Sequence, residues 1–561
     1  MCGIWAFINF IKNKQIDYNN LFNDFINLKH RGPDMSLFQM INNNIIVGFH
    51  RLAIMDPTFN SNQPYILEDG DRTIVFLCNG EIYNFKELIK NHNLDINTNS
   101  DCLVIPKLYI KYTKNNLKSD NINIFANLFS YNEVNSIKGE FAFILLEFDK
   151  LQNVNNIILG RDQIGIRPLY YNPLSLNTDS LICSSEIKGM QNFNSDIKEF
   201  SPGELLNIHI DNISGIKSLY TYDFKTVYNI KTISLEDKIY NEEYYLEKIR
   251  NAVINSIKRR LTADKPIAFL LSGGVDSSLI AAISAKLLNI PIKTFCCGMN
   301  KGTDLLYAKK VADHIGSIHT EVLFTKEEGL ESINDVIYTT ETWDTTTIRA
   351  SVGQYLVSKY IRENTDCKVV LVGEGPDEVC SSYLFNYYAP SGDELDNAAK
   401  YYVKEIHKYD GRRADRCISR WGLESRIALL DPEFIEVYWE IPAEWRHPKY
   451  KGIEKWWLRK AFDGLDILPN DVLWRKKEAF SDGVSNKEES WFEIIQNYIK
   501  TKKSNFDNNF APSLEAAYYK EIFINYFKEN RINILDHYWQ PKWINTDGEY
   551  IDPSARILNI Y

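Results

Sequence analysis

No stretch of this sequence approaches the roughly 20 consecutive apolar residues that a membrane-spanning helix requires, so no membrane partner is expected. A long basic run is absent too. With a formal net charge of −10 and a pI near 5.6, an extended nucleic-acid or acidic-membrane surface is not expected. Cysteine is sparse: nine are scattered with no C-x-x-C pair, and only Cys296 and Cys297 adjoin. That pattern argues against a disulfide framework or a zinc site and fits reduced thiols. The N-terminus, Met1-Cys2-Gly3-Ile4-Trp5, has neither a basic leader nor a signal cleavage site, and the expectation is a cytoplasmic protein. What is present is length and apolar mass. At 561 residues, 44% hydrophobic and 13% aromatic, the chain exceeds what one core organises, and two or more domains are expected.

The most informative stretch is Leu271-Ser272-Gly273-Gly274-Val275-Asp276-Ser277-Ser278. An apolar run, Ile267 to Leu271, enters it and an apolar-periodic stretch leaves it, which reads as buried strand, glycine turn and helix start. Two glycines let a polyanion approach the backbone, and free amides at a helix N-terminus point toward it. The Gly-Lys-Ser/Thr ending of kinase and GTPase phosphate loops is missing, and Asp276 stands where a cation would be expected. A carboxylate beside phosphates is repelled unless a divalent metal bridges them, so the loop suits Mg²⁺-pyrophosphate. A second strand, Val369 to Val372, enters another glycine-and-acid loop, Gly373-Glu374-Gly375-Pro376-Asp377-Glu378. Two such loops at adjacent strand ends would put Asp276 and Asp377 on one metal.

The N-terminal half carries different chemistry. Removal of Met1 leaves Cys2 with nucleophile and base together, since an α-amine titrates at roughly 7.7 to 8.0 and can take the thiol proton. From Cys2 alone, a buried residue opening a first strand, Ile4 to Ile8, is the plainer reading. Asn79 and Gly80 follow the strand Ile74 to Leu77 and offer a side-chain amide and an unguarded backbone N–H, a pair that can hold an oxyanion. Asn-Gly is also the commonest hairpin turn, and this stretch leaves both readings open.

Taken together, Met1-Cys2-Gly3-Ile4, His30 to Asp34, His50-Arg51-Leu52-Ala53-Ile54-Met55-Asp56, Asn79 to Asn84 and Ser100-Asp101 resemble the class II glutamine amidotransferase domain in order and spacing. The resemblance implies that Cys2 attacks the glutamine amide while Asn79 and Gly80 hold the oxyanion. It further implies that Arg51 binds the α-carboxylate, within the glutamine-binding run Arg51 to Met55, and that Asp101 with Glu81 receives the α-amino end. Each role suits its residue, since arginine forks onto a carboxylate and an acid pairs with an ammonium. Lys138 to Phe143, Gly160 to Tyr170, Ser184 to Lys188 and Ser201 to Glu204 continue the pattern and read as structural.

Ser272 to Ser278 resembles the pyrophosphate loop of the ATP-pyrophosphatases. With Glu341 to Ser351, Gly373 to Glu378, Tyr409 to Asp415, Trp421 to Arg426, Arg475 to Val484 and Asp552 to Arg556, the C-terminal half resembles the glutamine-hydrolysing asparagine synthetases. That resemblance implies ATP, Mg²⁺, glutamine and aspartate as ligands. Ser272, Gly273, Gly274, Asp276, Ser277 and Ser278 would hold the pyrophosphate of ATP, Asp276 and Asp377 its Mg²⁺, and Lys477 the departing phosphates. Leu270, Cys297, Val372 and Gly373 would contact the nucleotide. Glu374 is implied in forming or consuming a β-aspartyl-adenylate, and Thr346, Thr347, Arg349, Asp410 and Arg413 in the substrate pocket. The chain departs from the family pattern at Val372, Pro376 and Ser382, where a small hydroxyl residue, Ser or Ala, and Gly are expected; proline at 376 removes an amide donor.

The expected architecture is therefore an α+β N-terminal domain with two antiparallel sheets between helices, followed by an α/β doubly wound ATP-pyrophosphatase domain. Residues 2–205 would form the glutaminase, 206–240 strand ends plus a linker, and 241–561 the synthetase. Residues 241 to 262 read as a helix, with Tyr245, Ile249, Val253 and Ile257 on one face. Free ammonia protonates and escapes in water, so an enclosed passage is expected without its lining being legible. A homodimer is among the assemblies this reading allows. The alternatives are amidation of a different carboxylate, or a non-catalytic nucleotide-binding regulator; loss of Cys2, Asp276 or Asp377 would favour the latter, and none is lost.

Overall fold

The structure is a computed structural model that describes residues 1–11, 16–114, 119–130, 135–193, 196–211, 215–224, 228, 241–477, 483–485, 489–502, 511–544 and 552–554. The chain divides into two compact units, Met1–Asn229 and Ile230–Tyr561. Residues 478–482 of the expected Arg475 to Val484 motif, together with Ala555 and Arg556, lie outside the described residues.

The first unit contains two antiparallel six-stranded sheets. Its strands are β1 Gly3–Asn9, β2 Met35–Asn42, β3 Ile45–Arg51, β4 Tyr65–Asp69, β5 Arg72–Ile82, β6 Gly139–Phe148, β7 Val154–Arg161, β8 Tyr170–Tyr171, β9 Ser180–Ser184, β10 Lys198–Glu199, β11 Glu204–Asp211 and β12 Gly215–Asp223. One sheet runs β10-β8-β9-β1-β3-β2 and the other β12-β11-β7-β6-β5-β4. Alternation along each strand makes the layers. Ile4, Ala6 and Ile8 of β1 share one core with Val75 and Leu77 of β5, whereas Ile74, Phe76 and Cys78 of β5 turn to a second core with Leu108, Tyr109 and Phe125. Trp5 of β1 points the other way, toward Phe25 of the helix Tyr18–Ile26.

The expected linker begins too early. Residues 204–211 and 215–223 form a hairpin that extends the second sheet as far as Asp223, and only 225–227 and 229–240 of the remaining stretch are undescribed. The strand Gly215–Asp223 is half-exposed at the sheet edge, so polar residues dominate it and its periodicity is weak.

The second unit is built on a parallel sheet of β13 Ile267–Leu270, β14 Lys293–Gly298, β15 Ile318–Leu323, β16 Val369–Val372 and β17 Glu424–Ile427, in the order β15-β14-β13-β16-β17. The order reverses between β13 and β16, the place where doubly wound sheets hold ligands beyond their strands' carboxyl ends. Both glycine-and-acid loops leave the sheet there. The helix Glu242–Arg260 precedes it, with Asn241 accepting from the Tyr244 N–H, acids in its first turn and Lys258, Arg259 and Arg260 in its last. Tyr245, Ile249, Val253 and Ile257 are all buried.

Candidate active sites

In the first unit, Cys2 immediately precedes β1 and packs at the edge of the inter-sheet core. Its Sγ lies 3.9 Å from the Leu52 carbonyl, and its own carbonyl accepts from Arg31 Nε at 3.0 Å. Arg31 is fixed by Glu186 at 2.5 Å, which also holds Lys188 at 2.7 Å, so the stretch Ser184 to Lys188 anchors the backbone behind the nucleophile. Met1 is buried, with its thioether against the guanidinium groups of Arg31 and Arg167, a weak acceptor for charged donors.

Asn79 and Gly80 are not a hairpin turn. They sit within β5, paired with Ala142 and Phe141 of β6, so the oxyanion reading loses its main competitor. Asn79 shares the face of Val75 and Leu77 and therefore points into the space between the sheets. Its side chain is wholly buried, and neither its Oδ1 nor its Nδ2 has a hydrogen-bond partner among the described residues. Burying an amide unpaired costs roughly 1–3 kcal/mol, a cost that a ligand with a carbonyl or oxyanion would remove.

Asp101 accepts from the Ile82 N–H at 2.6 Å and is buried beside the end of β5, as is Glu81. Ala53 donates its N–H to Asp34 at 2.8 Å, tying the Arg51 to Met55 loop to the His30 to Asp34 turn. Leu52 and Ile54 are buried and Met55 half-buried. Arg51 itself is engaged by that loop: its guanidinium donates to the carbonyls of Thr58 at 2.7 Å, Met55 and Asp56, and to Asn62 Oδ1 at 2.5 Å.

In the second unit, the loop after β13 opens the helix Val275–Leu288. Gly273 adopts φ +72°, and a Cβ there would come within 2.4 Å of Tyr307, so glycine is required twice over. Ser277 Oγ receives the Ser272 N–H at 3.1 Å and meets Ser272 Oγ at 3.0 Å, which closes the turn; Ser278 Oγ is buried without a partner among the described residues. The loop after β16 abuts it, since a Cβ on Gly373 would lie 3.0 Å from the Ser277 nitrogen. Pro376 takes the first position of the short helix Pro376–Val379, where no N–H is needed, and the missing donor costs nothing. Ser382 donates its hydroxyl to Asp377 Oδ1 at 2.5 Å.

Asp276 and Asp377 converge on one cation, but that cation is Lys455. Its Nζ lies 2.5 Å from Asp276 Oδ2 and 2.5 Å from Asp377 Oδ1, and Lys477 Nζ is 2.5 Å from Asp377 Oδ2. Asp276 Oδ1 has no partner among the described residues. Burial opposes ionisation of Asp377, yet Lys455 and Lys477 outweigh it and hold its carboxyl well below the usual range. Burial raises Asp276 against the pull of Lys455, with the charge of Asp377 adding to the rise. Two carboxylates, one with a spare oxygen, are a hard-oxygen donor set that fits a divalent cation.

These groups line a pocket with Leu270, Ser272, Gly274, Ser277, Cys297, Gly373, Glu374, Asp410 and Arg413. Val372 and Ser278 are buried behind it, and Gly273 shapes the turn without lining it. Glu374 is paired with Arg413 at 2.9 Å and accepts from Gln354 at 2.9 Å; burial raises its pKa against the effect of Arg413. Arg413 also reaches Asp410 at 3.2 Å.

A second pocket shares Asp377, Asp410, Arg413 and Lys477 with the first, and adds Thr346, Tyr383, Tyr409, Trp539, Asp552 and Ser554. Thr346 Oγ1 is buried without a partner among the described residues. Two residues expected in a substrate pocket line neither. Thr347 bonds through N–H and hydroxyl to Asp344, the N-cap of the helix Thr345–Asn364, so it serves the helix start. Arg349, three residues past Thr346, is turned away and saturated by Glu515 and Asp552. The sequence reading does not include Lys455 or Gln354, and it holds Arg475 only as the first residue of a motif. Lys455 stands beside Trp456 and Trp457 and is only 5% exposed, and no local pattern in the sequence marks it.

Comparison with known proteins decides the family. A family model described as asparagine synthase matches residues 248–400 and 389–533, and one described as glutamine amidotransferase domain matches residues 1–227. The human "Asparagine synthetase [glutamine-hydrolyzing]" is 36% identical over 591 aligned residues, covering 100% of this chain and 99% of that protein. The chain belongs to the asparagine synthetase family. Proteins of the same name from Mus musculus and Gallus gallus are each 37% identical, again over 100% of this chain and 99% of theirs. Among the described residues of this family member, no helix is long and apolar enough to cross a membrane.

Proposed function

We propose that this chain makes L-asparagine from L-aspartate in the cytoplasm, consuming ATP and taking its nitrogen from glutamine. The observation that carries the reading is the wall shared by the two pockets: a site with two glycine loops and three lysines lies directly against one with Arg413, Asp410 and a Thr346 hydroxyl that has no partner among the described residues. The first suits a nucleotide; the second suits a small zwitterion with an extra carboxylate.

Cys2 Sγ attacks the side-chain amide carbon of glutamine after its proton passes to the α-amine that Met1 removal exposes. Asn79 Nδ2 and the Gly80 N–H donate to the oxyanion, ammonia leaves, and water releases glutamate from the thioester. Arg51, its Nη atoms held by the carbonyls of its loop, meets the α-carboxylate, while Asp101 and Glu81 face the α-ammonium.

In the second unit an aspartate side-chain oxygen attacks the α-phosphorus of ATP and pyrophosphate leaves. Ammonia then attacks the acyl carbon and AMP leaves. Asp276 and Asp377 would hold Mg²⁺, which when bound supplies charge to the phosphates. Lys455 and Lys477, which the structure holds on those two carboxylates, would donate to the phosphate oxygens. Glu374, half-buried and held by Arg413 and Gln354, would take a proton from the attacking ammonia.

The test is aspartate labelled with ¹⁸O in its side-chain carboxylate. One label should appear in AMP, with pyrophosphate as co-product, and Asp276→Asn should nearly stop the reaction with either nitrogen source. Label in inorganic phosphate with ADP, or a normal rate for Asp276→Asn, would overturn the adenylate route.

A further inference from the structure

Arg349 is the most heavily engaged arginine near the second pocket, yet it does not line it. Its guanidinium is 3% exposed and makes two carboxylate forks. Nε and Nη2 donate to Glu515 at 2.9 and 2.6 Å, and Nη1 and Nη2 donate to Asp552 at 2.8 Å each. Asp552 is also held by Gln496 at 2.8 Å and accepts the Ser554 N–H at 2.9 Å. Glu515 belongs to the helix Leu514–Phe527 and Arg349 to the helix Thr345–Asn364, so the forks join three segments remote in sequence. Asp552, Pro553 and Ser554 line the same pocket as Thr346 and Ala350, which stand one turn apart on the helix that carries Arg349.

We propose that Arg349 is a positioning residue for aspartate selection: by fixing Asp552 it holds residues 552–554 as the outer wall of the second pocket. This inference rests on the assignment of that pocket to aspartate. A planar fork specifies orientation as well as attraction, which a lysine at the same place does not reproduce. The two forks set the distance between the wall and the Thr346 helix. A wall held in a fixed place is what lets a pocket prefer a four-carbon dicarboxylate over one longer by a methylene.

The experiment measures ammonia-dependent asparagine synthesis by the full chain, with KM and kcat for aspartate and ATP, alongside glutaminase activity as a check on folding. Asp552→Asn and Arg349→Lys should each raise KM for aspartate about tenfold, a loss of roughly 1.4 kcal/mol. KM for ATP, kcat and glutaminase activity should stay within about twofold, and discrimination against glutamate should fall, since a single methylene is worth only about 10- to 200-fold in any pocket. Ser554→Ala leaves the forks intact and should raise aspartate KM on its own. An unchanged aspartate KM in Asp552→Asn, or aspartate and ATP constants rising in parallel, overturns the inference. Thr346→Ala separates this failure from failure of the pocket assignment: if it leaves aspartate KM untouched, aspartate binds elsewhere; if it raises KM while Asp552→Asn does not, only the positioning role falls.

Discussion

The two units prepare their sites in opposite ways. In the first unit the group is neutral: the Asn79 amide is buried inside a strand, and neither of its polar atoms has a partner among the described residues. In the second unit the charges are paired instead: Asp276, Lys455, Asp377 and Lys477 form a chain of ion pairs and Glu374 is bound to Arg413. The difference follows from dielectric cost. An unpaired buried amide is tolerable at a few kcal/mol, but an unpaired buried charge is not, so the lysines of the second unit rest on its own carboxylates. One unit leaves a neutral group without a partner among the described residues, and the other pairs its charges.

The strongest way to break this comparison is Cys2→Ala. Glutamine-dependent synthesis should be abolished while asparagine formation from ammonium salts continues, as measured by amino-acid analysis of both reactions. Loss of the ammonia-driven reaction in folded protein would mean that the two sites are not chemically separable.

Asn79→Ala is next in size. Removing one oxyanion donor typically costs about 10²–10³ in rate, so glutaminase kcat should fall by that factor while ammonia-driven synthesis is unchanged. Because the amide is unpaired before substrate arrives, thermal stability should not fall. A marked destabilisation would show that the amide has a structural partner.

The smallest effect concerns His50, on β3 of the first unit. It stacks on Phe25 at 4.0 Å, its Nδ1 is 2.7 Å from Ser36 Oγ, and its Nε2 is 3.0 Å from the Phe25 carbonyl. Burial depresses its pKa to about 4, with a contrary pull from the Phe25 carbonyl and small pushes from His30 and Lys29. A folded pKa below the unfolded 6.5 means that the unfolded chain binds the proton first. Stability is therefore full above about 6.5 and declines as pH falls toward about 4, by about 3 kcal/mol at most. Unfolding of wild type and His50→Phe followed from pH 7.5 to 4.5 should give a shallower slope for the variant; equal slopes would assign the acid sensitivity elsewhere.

The glycine loops were legible because local rules govern them: an apolar strand, two small residues and a helix start occupy a dozen consecutive positions. Asp276 and Asp377 were legible for the same reason, and their meeting followed from strand order. Lys455 was not, because it is 179 residues from Asp276 and its neighbours Trp456 and Trp457 read as core. Arg349 was visible but misassigned. Its partners lie 166 and 203 residues away, and a lone arginine before a helix looks the same whether it meets a substrate or a carboxylate of its own chain. The β11–β12 hairpin was read short because an edge strand carries too little apolar alternation to be told from a tether.

The position of β1 has a consequence for the order of events during synthesis. It lies in the middle of its sheet, between β3 and β9, and Ile4 bonds to Ser185 across 181 residues of chain. At roughly 5–20 residues per second, β9 leaves the ribosome on the order of ten to forty seconds after Cys2. Until then β1 has only one of its two flanking strands, and the first residue is open to an aminopeptidase. In the folded chain Met1 is 1% exposed. If Cys2 is the proposed nucleophile, it is made on a clock: the methionine has to leave before the strand that completes the sheet has been translated.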